Sequence, residues 1–327
     1  MAFDRYGRNI SYLRISLTDR CNFRCVYCMP ENMVFRPRAE LLQDDELRKL
    51  IPLFAECLGF HKFRLTGGEP TLRENIVELV RFIAQTPGVS DLAMTTNGLL
   101  LPKLAEPLAA AGLQRINISI DTLDPDKFRA VTRWGDLDEV WNGIKAATDA
   151  GLKLKLNAVV VRGFNDRQDV LDLARLTYDF PWQIRFIEMM PFGEVAEFQQ
   201  AKTVSEAELL TVIGEELDTP QLLNDGQLDG EARLYQLPNA IGTLGFISPV
   251  TQPFCAGCDR ARLTADGRLR LCLLRDKELD VRTPLRQGCD IEELRQKIED
   301  AIWFKPWGHG LAAAEVPRNR VMSEIGG

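Results

Sequence analysis

Cys21, Cys25 and Cys28 stand in Cys-Asn-Phe-Arg-Cys-Val-Tyr-Cys, a CxxxCxxC spacing tight enough for three thiolates to grip one iron–sulfur cluster. A cubane held wholly by protein takes four thiolates. Three leave one iron open to bind and activate a small molecule, much as catalytic zinc sites keep a position open. A zinc knuckle wants a fourth Cys or His nearby, and the following residues supply none. A second set, Cys255, Cys258 and Cys272, is CxxCx13C and again offers three ligands. For zinc in that place only Cys289 or His309 is at hand as a fourth. Cys57, inside an amphipathic run, reads as small core filler, and so does Cys289. Thr66-Gly-Gly-Glu-Pro70 adds glycines that permit close backbone approach and a carboxylate, Glu69, that accepts from an ammonium.

Cationic residues form the other chemical set. Arg14 lies between Leu13 and Ile15, and Arg64 between Phe63 and Leu65. Arg260 and Arg262 alternate with apolar neighbours just after Cys258, and Lys155 opens a further apolar run. An arginine that points into an interior needs an anionic partner. The net charge of −7 argues against a general nucleic-acid binder but leaves a local phosphate site open. With 8 Cys and 2 His in 327 residues, the cysteines point to metal or redox chemistry rather than a disulfide framework. Met1–Ile10 has no signal-peptide apolar stretch, and no apolar run reaches the ~18–20 residues that span a membrane. No membrane role and a cytoplasmic location are expected.

These groups must be held by elements. From Tyr12 to Met190, β-rich runs alternate with helical patterns. The strands are expected at Tyr12–Leu17, Lys62–Thr66, Leu92–Thr96, Arg115–Ile120, Leu154–Val161 and Gln183–Glu188. Leu47, Leu50, Ile51, Phe54 and Leu58 mark the first helix, which Gly59 stops. Further helices read as Ile76–Gln85, Lys103–Ala110, Leu137–Ala150 and Asp169–Tyr178. Six such units imply a parallel sheet with right-handed crossovers. Polar residues fall at successive strand ends, the arrangement of a barrel mouth. The fold class is α/β, a partial (β/α)6 TIM-like barrel over residues 1–190. Residues 191–327 form a C-terminal region with a helix near Ser205–Ile213, a polar and exposed stretch Asp218–Glu231, short β-like runs, a helix Ile291–Phe304 and a Gly326–Gly327 end.

CxxxCxxC with an aromatic before its last cysteine is the signature of the radical S-adenosylmethionine superfamily. Two three-cysteine sets narrow the likeness. The chain resembles the molybdenum cofactor biosynthesis protein A family, the GTP 3′,8-cyclases, over nearly its whole length. The resemblance rests on Leu13–Cys25, Arg64–Pro70, Thr95–Gly98, Asn117–Asp121, Arg185–Glu188, Phe254–Leu263 and the Gly–Gly end.

That resemblance implies two [4Fe–4S] clusters and S-adenosylmethionine. Gly68 and Glu69 would meet the methionyl amine, Ser119 the carboxylate or ribose, and Tyr27 and Met190 the adenine. Arg14, Arg64, Thr95, Lys155, Arg260, Ala261 and Arg262 would contact GTP. An adenosyl radical would remove the ribose 3′ hydrogen, and the carbon radical would close on guanine C8. Arg14, Arg260, Arg262, Gly326 and Gly327 would be catalytic, the last two as a finger into the site. A cyclic pyranopterin monophosphate synthase would take the product. An external electron donor is required, and the family suggests a homodimer. Two rival readings are a radical enzyme acting on a peptide and a zinc-binding interaction protein.

Overall fold

The computed structural model describes residues 1–192, 201–311 and 315–326. It arranges them as a partial TIM-like barrel. Six strands come from the first half: β1 (Tyr12–Ser16), β2 (Lys62–Thr66), β3 (Asp91–Thr96), β4 (Arg115–Ser119), β5 (Lys153–Val160) and β6 (Gln183–Glu188). Each is parallel to the next. The second half adds β7 (Gln221–Leu222), β8 (Arg233–Gln236), β9 (Thr243–Ile247), β10 (Arg260–Leu263), β11 (Arg268–Arg270) and β12 (Glu278–Asp280). β9 pairs in parallel with β6, and β10 in parallel with β1. Both edges of the six-stranded unit are thus extended by later strands. The sheet runs β12-β11-β10-β1-β2-β3-β4-β5-β6-β9-β8-β7 and does not close. No break in it falls at residue 190.

Side chains alternate along each strand, and register carries the alternation across the sheet. Arg262, Arg14 and Arg64 are partners on β10, β1 and β2. Ser119, Asn157, Arg185 and Gly245 are partners on β4, β5, β6 and β9. These polar residues share the concave face. The intervening positions, among them Leu13, Ile15, Phe63, Leu65, Ile116, Ile118, Ile184 and Phe186, are buried in the apolar core. A barrel interior usually packs branched apolar side chains. Here the interior is polar, so the core lies outside it, under the helices.

The helices follow their amphipathic stripes. α1 (Asp44–Pro52) opens with a capping box between Gln43 and Glu46 and buries Leu47, Leu50 and Ile51. Beyond Pro52 the turn widens, with Leu58 N–H donating to Leu53 O at 3.2 Å. Cys57 lies on the outer side of this turn and is exposed, which corrects its reading as core filler. α2 (Ile76–Gln85), α3 (Leu101–Ala110), α5 (Leu137–Asp149) and α6 (Gln168–Asp179) match expected runs; α4 (Pro125–Thr132) was not anticipated. The stretch Asp218–Glu231 is not uniformly exposed as expected: it carries β7, and its last residue, Glu231, is only 5% exposed. Among the described residues no helix is long and apolar enough to cross a membrane.

Candidate active site

All six cysteines of the two sets line one cavity of about 310 Å³ within the sheet. The first set lies on the loop after β1. Phe23 N–H donates to Cys21 Sγ at 3.3 Å, and Asn97 Nδ2, past the end of β3, approaches the same sulfur at 3.9 Å. Arg24 braces the loop by donating to Cys21 O at 2.6 Å and Phe23 O at 2.8 Å, with its guanidinium over Trp134. Burial pushes the Cys21 thiol up to about 11 and Cys28 to about 12, and Cys25 also rises. Thiols at this spacing also raise one another. A metal group that takes the thiolates must displace these protons.

The Gly67–Gly68 turn locks onto this loop. Gly68 N–H donates to Thr18 O at 2.7 Å and Glu69 N–H to Arg20 O at 2.8 Å. A Cβ on Gly68 would lie 2.2 Å from Arg20 O, so only glycine fits. The close approach is therefore to the cysteine loop itself. Glu69 Oε1 accepts from Thr71 N–H (3.0 Å), Thr71 Oγ1 and Thr96 Oγ1 (2.6 Å), while among the described residues Oε2 accepts only from Asn97 N–H (2.7 Å). Burial raises its carboxyl despite these donors. Asp121 accepts from Tyr27 Oη at 2.7 Å and Val159 N–H at 2.8 Å, and burial lifts it to about 6. The first cysteine set thus sits among buried carboxyls.

The middle of the cavity is cationic. Arg14, Arg64, Arg185, Arg260, Arg262 and Arg270 all line it. Gly245 leaves room for Arg185, since a Cβ there would lie 3.1 Å from its Cγ. Glu231 stands in their midst, 3.2 Å from Arg260. Burial opposes its charge, but Arg260, Arg64, Arg14 and Arg185 outweigh that and hold its carboxyl well below the usual range. Arg270 pairs with Glu278, Arg185 lies 3.6 Å from Asp229 and Arg260 also lies 3.7 Å from Asp259, but among the described residues Arg14, Arg64 and Arg262 have no ion pair, so this part of the cavity keeps a surplus of positive charge. Arg14 Nε, Arg64 Nε, Thr95 Oγ1, Asn117 Nδ2 and Asn157 Oδ1 are buried without hydrogen-bond partners. Each such group costs about 1–3 kcal/mol unless a ligand meets it. Arg262 donates to Gly326 O, and Gly326 takes φ +72 with Thr66 Cγ2 2.5 Å from where a Cβ would be. Residue 326 therefore reaches the arginines.

The second cysteine set lies across the cavity, on the turn before β10 and just after β11. Arg8 donates to Cys255 O at 2.7 Å, and Lys305 donates to Arg260 O at 2.7 Å and to Leu271 O. Burial raises Cys272, whereas at Cys258 it is outweighed by Lys305 and Arg260, which draw that thiol down. His309 also lines the cavity, but both ring nitrogens are used: Nδ1 accepts from Leu311 N–H, so Nε2 donates to Pro249 O at 2.9 Å. Cys289 Sγ contacts Asp290 O and does not line the cavity. Neither proposed fourth zinc ligand is in place. Among the described residues no group of three His, Cys, Asp or Glu side chains is arranged to hold a single metal ion. The donor set at each place is three half-buried thiols facing a shared space, which fits a larger cluster with one open iron.

Of the residues singled out in the sequence, Arg14, Tyr27, Arg64, Gly68, Glu69, Thr95, Ser119, Met190, Arg260 and Arg262 line the cavity beside the cysteines. Lys155 does not: its ammonium pairs with Asp229 at 2.7 Å, at the β5 position before Asn157 on the same face, and burial draws it to about 8. The Ala261 side chain belongs to the apolar core, as alternation between Arg260 and Arg262 demands. Gly327 lies outside the described residues. Sequence reasoning missed Arg185, Arg270, Asn157 and Glu231. Arg185 carried a signal, since it alternates with Ile184 and Phe186 as Arg14 does with its neighbours.

Residues 15–176 match the family model described as Radical SAM superfamily, and residues 182–311 that described as Molybdenum Cofactor Synthesis C. A GTP 3′,8-cyclase of Desulforamulus reducens is 45% identical over 329 residues, 99% of each chain. That of Pelotomaculum thermopropionicum is 44% identical over 326 residues, again 99% of each. Among solved structures, Streptococcus suis SuiB bound to S-adenosylmethionine has a TM-score of 0.56 at 15% identity, over 92% of this chain and 65% of that one. Methylornithine synthase has a TM-score of 0.50 at 20% identity, over 66% and 65%. At such identities the two structures establish a shared fold alone.

Proposed function

The chain belongs to the GTP 3′,8-cyclase family of radical S-adenosylmethionine enzymes, which carries out the first step of molybdenum cofactor biosynthesis, and from that premise we propose a role for each part of the cavity. Cys21, Cys25 and Cys28 hold the first [4Fe–4S] cluster. When bound, it supplies the electron that cleaves S-adenosylmethionine to a 5′-deoxyadenosyl radical. Glu69 turns its less occupied Oε2 to the methionyl ammonium, and Gly68 keeps that loop against the cysteines. Ser119 meets the carboxylate or ribose, and Tyr27 and Met190 flank the adenine.

GTP lies between the two cysteine sets. Its roughly four negative charges answer Arg14, Arg64, Arg260 and Arg262, because guanidinium forks bind phosphate oxygens bidentately. Thr95 offers its unpaired hydroxyl. Ala261 contributes backbone only, and Lys155 acts from below after exchanging Asp229 for substrate. Cys255, Cys258 and Cys272 hold a second [4Fe–4S] cluster, and the guanine edge faces it. The ribose 3′ hydrogen would pass to the 5′-deoxyadenosyl radical, giving 5′-deoxyadenosine; the 3′ carbon would close on guanine C8, and the nucleotide radical would then take one electron from the external donor and one proton to give (8S)-3′,8-cyclo-7,8-dihydroguanosine 5′-triphosphate. Arg260 and Arg262 steady the developing charge and donate protons. Gly326 closes the site from the Arg262 side, and a catalytic role is proposed for Gly327 as well.

The observation that carries this reading is the ring of buried guanidiniums with unpaired polar atoms between two three-thiol sets. A peptide substrate would leave those charges without a partner. We further propose residues 1–190 as the radical S-adenosylmethionine partial barrel and 191–327 as a C-terminal region with the second cluster and the Gly–Gly end. A cyclic pyranopterin monophosphate synthase downstream, an external electron donor, a homodimer and a cytoplasmic location complete the proposal. Anaerobic turnover with GTP, S-adenosylmethionine and a reductant tests it by mass spectrometry. The expected outcome is the cyclised nucleotide with matching 5′-deoxyadenosine. Release of 5′-deoxyadenosine with GTP left unchanged would overturn it.

A further inference from the structure

Lys305 is 2% exposed, in the segment that follows the helix Ile291–Trp303. Its ammonium donates to Arg260 O, two residues past Cys258, and to Leu271 O, one before Cys272. Among the described residues it has no carboxylate partner. Cys258 and Cys272 favour its charge, while burial, Arg8 and Arg260 oppose it. Arg8 is different, since Asp4 pairs with it at 2.6 Å. Arg8 spends its remaining donors on Cys255 O, Pro306 O and Trp307 O, tying the Lys305 segment to the third cysteine. The same segment packs directly on the site: a Cβ at Gly308 would lie 3.2 Å from Cys255 Sγ.

A buried ammonium without a counter-ion is costly unless its surroundings carry negative charge. A [4Fe–4S] core on three thiolates carries one net negative charge when oxidised, and reduction adds another. We propose that Lys305 is the built-in counter-ion of the second cysteine site, a positioning residue that sets the reduction potential of the group held by Cys255, Cys258 and Cys272. This rests on the reading of a second cluster. The added electron interacts with the ammonium across a short, dry distance, so the reduced form gains more than the oxidised one. Lys305 bonds to the loops of the second cysteine set, whereas the first is braced by Arg24 and faces Asp121, so the first set's potential is expected not to depend on Lys305.

The test uses the full chain reconstituted anaerobically with iron and sulfide. Metal and sulfide are counted, and each cluster is titrated by electron paramagnetic resonance, with Cys272→Ser identifying the second signal. Lys305→Met removes charge and donors; Lys305→Gln keeps donors without charge; Lys305→Arg keeps charge. The expected result is a fall of at least tenfold in the reduced-to-oxidised ratio at fixed potential for both neutral variants. For a one-electron couple that is about 59 mV toward negative. Lys305→Arg should titrate with wild type, and the first cluster should not move in any variant. If Cys272→Ser costs no iron, the second-cluster reading falls and this proposal with it. If iron is lost there but the neutral variants titrate with wild type, the Lys305 proposal alone falls. If the neutral variants cannot hold the second cluster while Lys305→Arg can, the counter-ion role stands. If Lys305→Arg fails to hold it too, shape rather than charge is what the position supplies, and the proposal is overturned.

Discussion

The two cysteine sets have the same count of thiols and opposite surroundings. The first is flanked by Glu69 and Asp121, both with carboxyls raised by burial, and the cation acting on Cys21, Arg24, is turned to backbone carbonyls and aromatic faces. The second has Lys305 and Arg260 close enough to draw Cys258 down. Negative surroundings resist an added electron and make a group that accepts one eager to pass it on. Positive surroundings welcome an anion. The difference suits a first site that fires reductive cleavage and a second that receives an anionic nucleotide. Under the proposed function, two sets of three thiols would be given separate tasks by the charges one layer out.

That contrast can be broken in several places. Replacement of a first-site ligand, Cys25→Ser, is expected to lower 5′-deoxyadenosine release more than ~10³-fold, while the irons of the second site remain. If release persists, the first site is not the source. Cys258→Ser should do the reverse. Nucleotide cyclisation should fall by ~10² or more while cleavage of S-adenosylmethionine stays within a few-fold, so the ratio of the two products reads the separation directly. Parallel loss of both would show the sites act as one.

The acidic surround can be tested through stability. Asp121 titrates at about 6 in the fold against an ordinary 3.8, so folding favours its protonated form. Its contribution is present below pH ~4 and is lost as pH rises through 6. Asp121→Asn, neutral throughout, should therefore stabilise the protein above pH 7 by up to roughly 3 kcal/mol, with no gain near pH 4. Melting curves at the two pH values check this; a gain independent of pH would sink it. The smallest effect is expected at Glu231, which competes with substrate for the same guanidiniums. Glu231→Gln should tighten GTP binding about three- to tenfold by calorimetry. It should also lower the melting point at neutral pH, and the difference should fade as acid protonates the wild-type carboxylate.

Much of the first half was legible because its signals are local. β2, β6 and α2 fall at their expected bounds, and Gly59, expected to stop the first helical run, takes the left-handed region at φ +77. α4 was missed although Asp124 caps it and Pro125 opens it, a signature in plain view. β10 was read only as alternating Arg and apolar residues, because four residues carry too little pattern to announce a strand. Glu231 lay beyond reach for another reason. Its neighbours Gly230 and Asp229 speak of an exposed turn, and its partners come from β1, β2, β6 and β10, scattered along the chain. The two sites were legible as cysteine spacings; that they share one cavity was not.

The order of strands has a consequence for how the protein is made. Tyr12 of β1 pairs with Arg260, about 250 residues later, and β6 waits for β9. Until those late strands exist, a synthesised first half presents two bare parallel edges, the kind that join other chains. Contacts of such long range also fold slowly. The same late segment carries the second cysteine set, so the polypeptide that covers the edges also delivers those three thiols and Arg260 and Arg262 to the cavity. Covering of the sheet edges and completion of the cavity thereby depend on the same residues, and a half-made chain is both sticky and short of much of its cavity lining.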